Sequence, residues 1–133
     1  MMKGIDTTFL IDILRNDKGA VVKGIELDKE PLVFTTEANV YEIASGVWQQ
    51  KINKEKALHD VEVLLDKLTV LPLDHKGAIR AGQIAGTLSR QGKMIDDIDC
   101  LVAGILLTNG CSTIISRNVK HFRRIDGLGV ENY

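Results

Sequence analysis

The stretch that most constrains how this chain folds is Ile95 to Leu107, with the sequence IDDIDCLVAGILL. It places three aspartates directly before an apolar run that carries no charge. At 3.6 residues per turn, such a run predicts a helix that other elements must cover on most sides. The fold must therefore be built around a buried helix with an acidic N-terminal end.

The three aspartates, Asp96, Asp97 and Asp99, have two interpretations. Acidic residues are common at helix N-termini, where the helix dipole favours each negative charge by about 0.3–1 kcal/mol. Alternatively, three carboxylates within four residues repel one another enough to require a cation, if other acids converge on the same point. The rest of the chain has to decide between capping and metal binding.

Length and composition favour one ordinary globular domain. With 133 residues, of which 44% are hydrophobic and 26% charged, the chain predicts a single domain spanning residues 1–133. The apolar run Cys100 to Leu107 is far shorter than the roughly 20 residues of a membrane helix, and the N-terminus lacks a signal-peptide layout. We therefore expect a cytoplasmic protein without a membrane partner. Cys100 and Cys111 have no metal-ligand spacing and are expected to be reduced packing residues.

Predicted strands alternate with predicted helices along the chain. A short strand runs into Asp6, Thr36 and Asp74 are predicted helix N-caps, and Lys54 to Leu68 has apolar residues at helical spacing. This alternation predicts an α/β fold with a mostly parallel central sheet flanked by helices. The further predicted strands are Pro31 to Phe34, Thr69 to Leu73, Ser112 to Ile115 and, at an edge, Gly127 to Val130.

Two more acids are candidates for a site. Asp6 stands where a strand becomes a helix, so it is either an N-cap or, since ligands bind outside the carboxyl ends of strands in α/β sheets, a ligand-binding residue. Glu42 lies on the helix that opens at Thr36. A glutamate on such a helix is usually a solvent-exposed charge, but Glu42 has the apolar neighbours Tyr41 and Ile43.

Carboxylates are the chemistry that this sequence offers. It contains no HExxH, GxSxG or GxGxxG motif, and its three histidines are scattered, with His121 in a basic segment. Asp6, Glu42 and Asp99 would supply the hard oxygen ligands that Mg²⁺ or Mn²⁺ prefers. If the fold brings them together, metal-assisted hydrolysis of a phosphodiester bond follows, with a metal-activated water as the nucleophile.

Four motifs in order resemble those of the PIN-domain ribonucleases. DTTFLI from Asp6 resembles the opening Asp-Thr-(Asn/Ser/Thr) motif, YEIASGV resembles the ExxxG helix, and DCLVAG from Asp99 is similar to the DxxIAA helix. Within the family, SRNVKHFRRIDGLGVENY resembles the ending of VapC toxins, in which T-x-N or T-x-D precedes a Phe and then GL-x-VE-N and an aromatic residue. The resemblance spans nearly the whole chain.

The resemblance implies a PIN-like fold and a Mg²⁺- or Mn²⁺-dependent endoribonuclease that acts as the toxin of a toxin–antitoxin pair. It also implies an RNA substrate, a VapB-like antitoxin as partner, and a homodimer. Two alternatives stay open: a housekeeping PIN nuclease, and a PIN-like RNA-binding or scaffold domain that has lost catalysis.

The family's site residues carry over onto matching positions. Asp6, Glu42 and Asp99 are implied as catalytic residues and metal ligands, and the fourth acidic position falls on Asn118. An asparagine can coordinate through its carbonyl oxygen but supplies no charge. We therefore predict Asp96 as a further metal ligand, ahead of Asp97, because it is one turn from Asp99; Asn118 and Asp97 are auxiliary.

A basic segment surrounds Asn118. Its charges could be a solvated face, but beside an acidic metal site Lys and Arg would contact RNA phosphates without reading sequence. Phe122 within this segment is expected in the core. The predicted RNA-contacting residues are Arg117, Lys120, Arg123 and Arg124.

Overall fold

The computed structural model describes residues 2–133. A five-stranded sheet has the strand order β3-β2-β1-β4-β5, and every pairing is parallel. The predicted α/β fold with a central sheet flanked by helices is confirmed. The strands are β1 (Lys3–Ile5), β2 (Val33–Thr36), β3 (Thr69–Leu71), β4 (Thr113–Ile115) and β5 (Gly129–Glu131). The helices are α1 (Thr7–Leu14), α2 (Lys18–Leu27), α3 (Glu37–Trp48), α4 (Lys54–Leu65), α5 (His75–Arg90), α6 (Asp97–Thr108) and α7 (Val119–Phe122).

The sheet topology determines where a site can form. β1 lies in the middle and pairs with β2 on one side and β4 on the other. From β1 the chain builds β2 and β3 on one side of the sheet and then crosses over to build β4 and β5 on the other side. Ligands of parallel α/β folds bind at such a switch point, outside the carboxyl ends of the strands. Asp6 directly follows β1, and Ser116 directly follows β4.

The helix α6 is the centre of the core, as its sequence predicted. Val102, Ala103, Ile105 and Leu106 are at most 1% exposed. One side of α6 packs on α5 so closely that a Cβ atom at Gly104 would lie 2.6 Å from the amide nitrogen of Ala81. This contact requires glycine because the neighbouring atoms are backbone.

We expect Gly104→Ala to lower the free energy of unfolding by about 3 kcal/mol, the upper end of the usual cost of overpacking a core. The helix backbone of α5 would have to move, since the added Cβ would also lie 2.7 Å from the carbonyl oxygen of Gly77. Urea denaturation measures the effect. Gly86→Ala on α5 is the matched control: no atom lies within 4 Å of its Cβ position, so alanine should stabilise by about 0.4–1 kcal/mol. Equal urea midpoints for Gly104→Ala and the parent would contradict this account of the packing.

Local signals located most elements to within a few residues. Thr36 and Asp74 are the N-caps of α3 and α5, and β5 lies at a sheet edge. β2 runs over Val33–Thr36, later than the predicted Pro31 to Phe34, because its register is fixed by pairing with β1, where Lys3 lies opposite Val33.

The two cysteines, Cys100 and Cys111, are free and buried, as expected. Among the helices formed by residues 2–133, none has the length and apolar character needed to cross a membrane.

Candidate metal centre

Asp6 is a buried carboxylate at the carboxyl end of β1, with only 3% of the residue exposed. Its Oδ1 accepts hydrogen bonds from the Thr8 hydroxyl at 2.6 Å and from the Phe9 amide at 3.3 Å, so it does cap α1. Its Oδ2 accepts a hydrogen bond from the Ser116 hydroxyl at 2.6 Å. Three donors occupy part of the roughly four acceptor directions of a carboxylate, so capping leaves room for a further ligand.

Burial has a strong effect on the charge of Asp6. It raises the pKa of Asp6 to about 6, although the hydrogen bonds from Ser116, Thr8 and Phe9 favour the ionised form, and the negative charge of Asp99 adds to the rise. Among residues 2–133, no lysine or arginine forms an ion pair with Asp6 or Asp99. Negative charge is therefore concentrated here without a lysine or arginine to balance it, and the ring of His121 is the nearest group that could carry positive charge.

Asp99 stands in the first turn of α6 and is 5% exposed. Burial raises its pKa, the His121 ring opposes this, and the charges of Glu42 and Asp96 contribute to the rise. Oδ2 of Asp99 lies 2.7 Å from Nδ1 of His121. The fold thus brings Asp6, Glu42 and Asp96 within electrostatic range of Asp99, although they come from three different parts of the chain.

Three of these side chains converge more tightly. Asp96, Asp99 and His121 each offer a ligand atom, and these atoms all lie within 4.8 Å of one another. Asp96 occupies the N-cap position of α6, yet its carboxylate accepts no capping hydrogen bond, in contrast to Asp6. Carboxylate oxygens are the donors that Mg²⁺ and Mn²⁺ prefer, and Asp96 and Asp99 supply them here, while the ring of His121 is within hydrogen-bond distance of Asp99. The residues present therefore fit a metal ion.

Comparison with known proteins identifies the family of this chain. The model of the PIN domain family matches residues 4–128. The chain belongs to the PIN-domain family. The VapC-like resemblance of its motifs is confirmed by relatives of similar length. The tRNA(fMet)-specific endonuclease VapC of Shigella flexneri is 26% identical over 129 residues, which cover 97% of this chain and 96% of the relative. Ribonuclease VapC2 of Rickettsia felis is 23% identical over 134 residues, covering 100% of this chain and 98% of the relative.

Solved structures share the fold over the full length of this PIN domain. The structure of VapBC2 from Rickettsia felis, bound to a DNA fragment from the promoter, contains a chain with a TM-score of 0.89 and 22% identity. The match covers 100% of this chain and 99% of that one. DNA-bound VapBC from Salmonella typhimurium gives a TM-score of 0.86 at 25% identity, covering 99% and 98% of the two chains.

Sequence reasoning missed His121, and also Thr8 and Ser116, as residues of the site in this PIN domain. The sequence places His121 in the basic segment without an evident partner, but α7 presents its ring to Asp99, 22 residues earlier in the chain. One sequence signal could have found it. His121 follows Asn118 by three residues, close to one helical turn, so a helix would place both on the same face. The other two histidines, His59 and His75, are exposed.

The remaining predicted residues of the PIN domain lie in different surroundings. Asn118 is half-buried at the N-cap of α7, and its side chain accepts no capping hydrogen bond. Glu42 and Asp97 are exposed on α3 and α6, and only Asp96, not Asp97, belongs to the tight group around Asp99 in the described part of the chain. The ligand roles of all these residues stay predictions.

The basic segment of the PIN domain divides into free and engaged side chains. Lys120 and Arg123 are exposed and have no side-chain partner within residues 2–133. Arg124 donates to the backbone carbonyls of Lys93 and Met94, at 3.3 and 3.0 Å. Arg117 makes ion pairs with Asp12 and Asp17, and its contact with RNA phosphates stays a prediction. Phe122 is fully buried, which confirms its predicted place in the core.

The raised pKa of Asp6 predicts how pH changes stability without metal. A carboxyl whose folded-state pKa lies above its unfolded value stabilises the fold below the unfolded value of 3.8, and this stability is lost as pH rises through about 6. Proton and metal ion compete for the same carboxylate, so stabilisation by Mn²⁺ should increase over this pH range. Melting temperatures at pH 5 and pH 7.5, with and without Mn²⁺, measure both trends. Asp6→Asn is the control: identical pH profiles for this variant and the parent would show that Asp6 is not the group responsible.

Proposed function

We propose that this PIN domain is a divalent-metal-dependent endoribonuclease and the toxin of a VapBC-type toxin–antitoxin pair. The observation that carries the proposal is the concentration of carboxylates without a lysine or arginine partner around Asp6 and Asp99, at the switch point of the sheet. The names of the relatives support it, since they are VapC endonucleases and ribonucleases. Because one of them is named as specific for tRNA(fMet), tRNA is the first RNA class to test.

Asp6, Glu42, Asp96 and Asp99 would hold the metal ion, which we propose is Mg²⁺ or Mn²⁺. When bound, such an ion stabilises negative charge on a phosphate and lowers the pKa of a water that attacks it. Ser116 and Thr8 orient the carboxylate of Asp6 by hydrogen bonds. The ring of His121 fixes the carboxylate of Asp99 in the same way. These contacts arrange the charges before substrate binds, which is the main contribution of a protein to metal-assisted hydrolysis.

A second function stays open because of Asn118: a PIN-like domain that binds RNA without cutting it. This residue removes a negative charge from the fourth acidic position that the family resemblance implies. Asp96, with a carboxylate that accepts no capping hydrogen bond, can restore this charge within 4.8 Å of Asp99. We therefore favour the enzyme. A housekeeping nuclease would have the same site but no toxicity and no antitoxin.

The decisive experiment incubates the full chain with tRNA and Mn²⁺, with EDTA in a parallel sample. Cleavage that needs the metal and leaves a 5′-phosphate on one product supports metal-assisted hydrolysis by an in-line water. RNA that is bound but not cleaved would instead favour the scaffold function. Toxicity on expression, relieved by the product of a neighbouring small gene, would separate a toxin from a housekeeping nuclease.

Three further expectations stay predictions: the homodimer, the single domain of residues 1–133 and the cytoplasmic location. Sedimentation tests the homodimer.

The free basic side chains should contribute to RNA affinity and not to chemistry. We expect the double variant Lys120→Ala with Arg123→Ala to raise KM and to leave kcat on a short RNA nearly unchanged. If each side chain neutralises one phosphate of a single strand, the slope of log affinity against log salt should become shallower by about 1.4. Equal salt slopes for variant and parent would show that this face does not contact RNA.

A further inference from the structure

Arg117 lies in the backbone between two residues of the candidate metal centre. It lies between Ser116, which donates to Asp6, and Asn118, at the fourth acidic position. Its Nε donates to Oδ2 of Asp12 at 2.6 Å, and a terminal nitrogen donates to Oδ2 of Asp17 at 2.9 Å. Asp12 belongs to α1, and Asp17 is the N-cap of α2. One guanidinium thus connects the segment after β4 to the first two helices.

Tyr133 completes this group of contacts. Its hydroxyl donates to the same oxygen of Asp12 at 2.6 Å. The centre of the Arg117 guanidinium lies 4.5 Å from the centroid of its ring, within the roughly 6 Å range of a cation–π interaction. The ring of Phe9 meets the ring of Tyr133 edge-on, with centroids 5.0 Å apart. Asp12, Asp17, Arg117 and Tyr133 are hereafter called the Arg117 cluster.

The Arg117 cluster is poorly suited to bind a phosphate. Two carboxylates already accept from the guanidinium and offset its charge. Burial opposes ionisation of Asp12, but the hydrogen bonds from Tyr133 and Arg117 outweigh it and lower the pKa of Asp12. Asp12 therefore keeps its negative charge at neutral pH, and a phosphate approaching the cluster would meet the carboxyl groups of Asp12 and Asp17 as well as the arginine.

The backbone of Arg117 leads directly to the candidate metal centre. Its amide donates to the Thr8 hydroxyl at 3.0 Å, and this hydroxyl donates to Oδ1 of Asp6 at 2.6 Å. The Ser116 hydroxyl donates to Oδ2 of Asp6 at 2.6 Å and accepts from the amide of Asn118 at 2.8 Å. A shift of residue 117 would therefore disturb both hydroxyls that orient Asp6.

We propose that Arg117 is a positioning residue: the Arg117 cluster fixes the segment from Ser116 to Asn118, and this segment orients the carboxylate of Asp6 and the side chain of Asn118. The inference rests on the proposed metal-dependent cleavage of RNA. It assigns Arg117 a role different from the phosphate contact that its sequence suggested. The four residues of the Arg117 cluster lie outside the metal centre but help to determine the geometry of that centre.

Two variants of the full chain test the proposal, Arg117→Gln and Tyr133→Phe. Groups that orient metal ligands typically contribute 10- to 100-fold, so we expect Arg117→Gln to lower both kcat and the affinity for Mn²⁺ by about this factor, with KM for a short RNA within about twofold of the parent. Tyr133→Phe removes one hydrogen bond and should cause a smaller loss of the same kind, about fivefold. Arg90→Gln, an exposed arginine at the end of α5, is the matched control and should change neither quantity.

The outcomes separate positioning from other roles of Arg117. A raised KM and a shallower salt slope, with kcat and Mn²⁺ affinity at the parent level, would identify a phosphate contact and overturn the proposal. A lower melting temperature with unchanged Mn²⁺ affinity and unchanged kcat, measured well below melting, would reduce the cluster to a structural role and overturn it too. A parent that binds Mn²⁺ but cleaves no RNA would refute the proposed function alone, because Mn²⁺ affinity still reports on the cluster. A parent that does neither would refute both.

A double-mutant cycle adds an independent check. Asp12→Asn weakens the acceptor that Arg117 and Tyr133 share. If the cluster acts as a unit, the loss of Mn²⁺ affinity in Asp12→Asn with Arg117→Gln should be smaller than the product of the two single losses. Fully multiplicative losses would show that the two residues act separately, which contradicts the proposal.

Discussion

Replacing Asp99 with asparagine is expected to abolish RNA cleavage while leaving the metal-free protein at least as stable as the parent. The carboxylate is 5% exposed, and burial together with the charges of Glu42 and Asp96 raises its pKa. Asparagine has nearly the same shape, can still accept a hydrogen bond from His121, and removes one repelling charge. It also removes one proposed metal ligand. The rate of cleavage should therefore fall by more than the roughly 100-fold that is lost when a group that only orients a metal ligand is removed.

Asp97→Asn is the matched control, because Asp97 is exposed in the same turn of α6 but lies outside the tight group with His121. It should retain cleavage and the metal response. If Asp99→Asn behaved like Asp97→Asn, Asp99 would be only a helix-terminal acid, since asparagine serves nearly as well as aspartate there, and a metal site centred on Asp99 would have to be abandoned.

Divalent metal is expected to raise the melting temperature of the parent by roughly 10 °C. An ion that binds only the folded state adds about 2.7 kcal/mol at a hundredfold excess over its dissociation constant. For a chain of this length, each kcal/mol corresponds to a few degrees. Two carboxylates about 4 Å apart repel each other by roughly 4 kcal/mol at an effective dielectric near 20, before relaxation and protonation reduce the repulsion. Because a bound cation relieves this repulsion around Asp6 and Asp99, the melting temperature should respond strongly to metal.

The measurement compares melting of the parent and of Asp99→Asn across a titration of Mn²⁺, with EDTA as the zero point. The variant should show little shift at concentrations that saturate the parent. Glu42→Gln changes an exposed acid at the border of the group and should give an intermediate shift. A parent whose melting temperature does not depend on Mn²⁺ or Mg²⁺ would contradict the proposed metal centre regardless of any activity.

Much of the fold followed from signals that act over one or two turns of chain. The uncharged run after Asp99 predicted the buried helix α6, and N-caps such as Thr36 and Asp74 marked where helices begin. Asp6 was recognised because a strand changes to a helix at that residue. Capping and hydrophobic periodicity depend on residues three or four apart, so they can be read without knowing the tertiary structure.

The composition of the site was decided by the tertiary structure. Ser116 holds Asp6 across 110 residues because β1 pairs with β4, and Arg117 meets Asp12 across 105 residues for the same reason. His121 reaches Asp99 because α7, which follows β4, packs on α6, so its partner could not be inferred from the basic segment around it. Strand order and helix packing are non-local, and a linear pattern of charges does not contain them. The sequence by itself therefore identified which acids could form a site, whereas the parallel pairing of β1 and β4 determined which neighbours orient those acids.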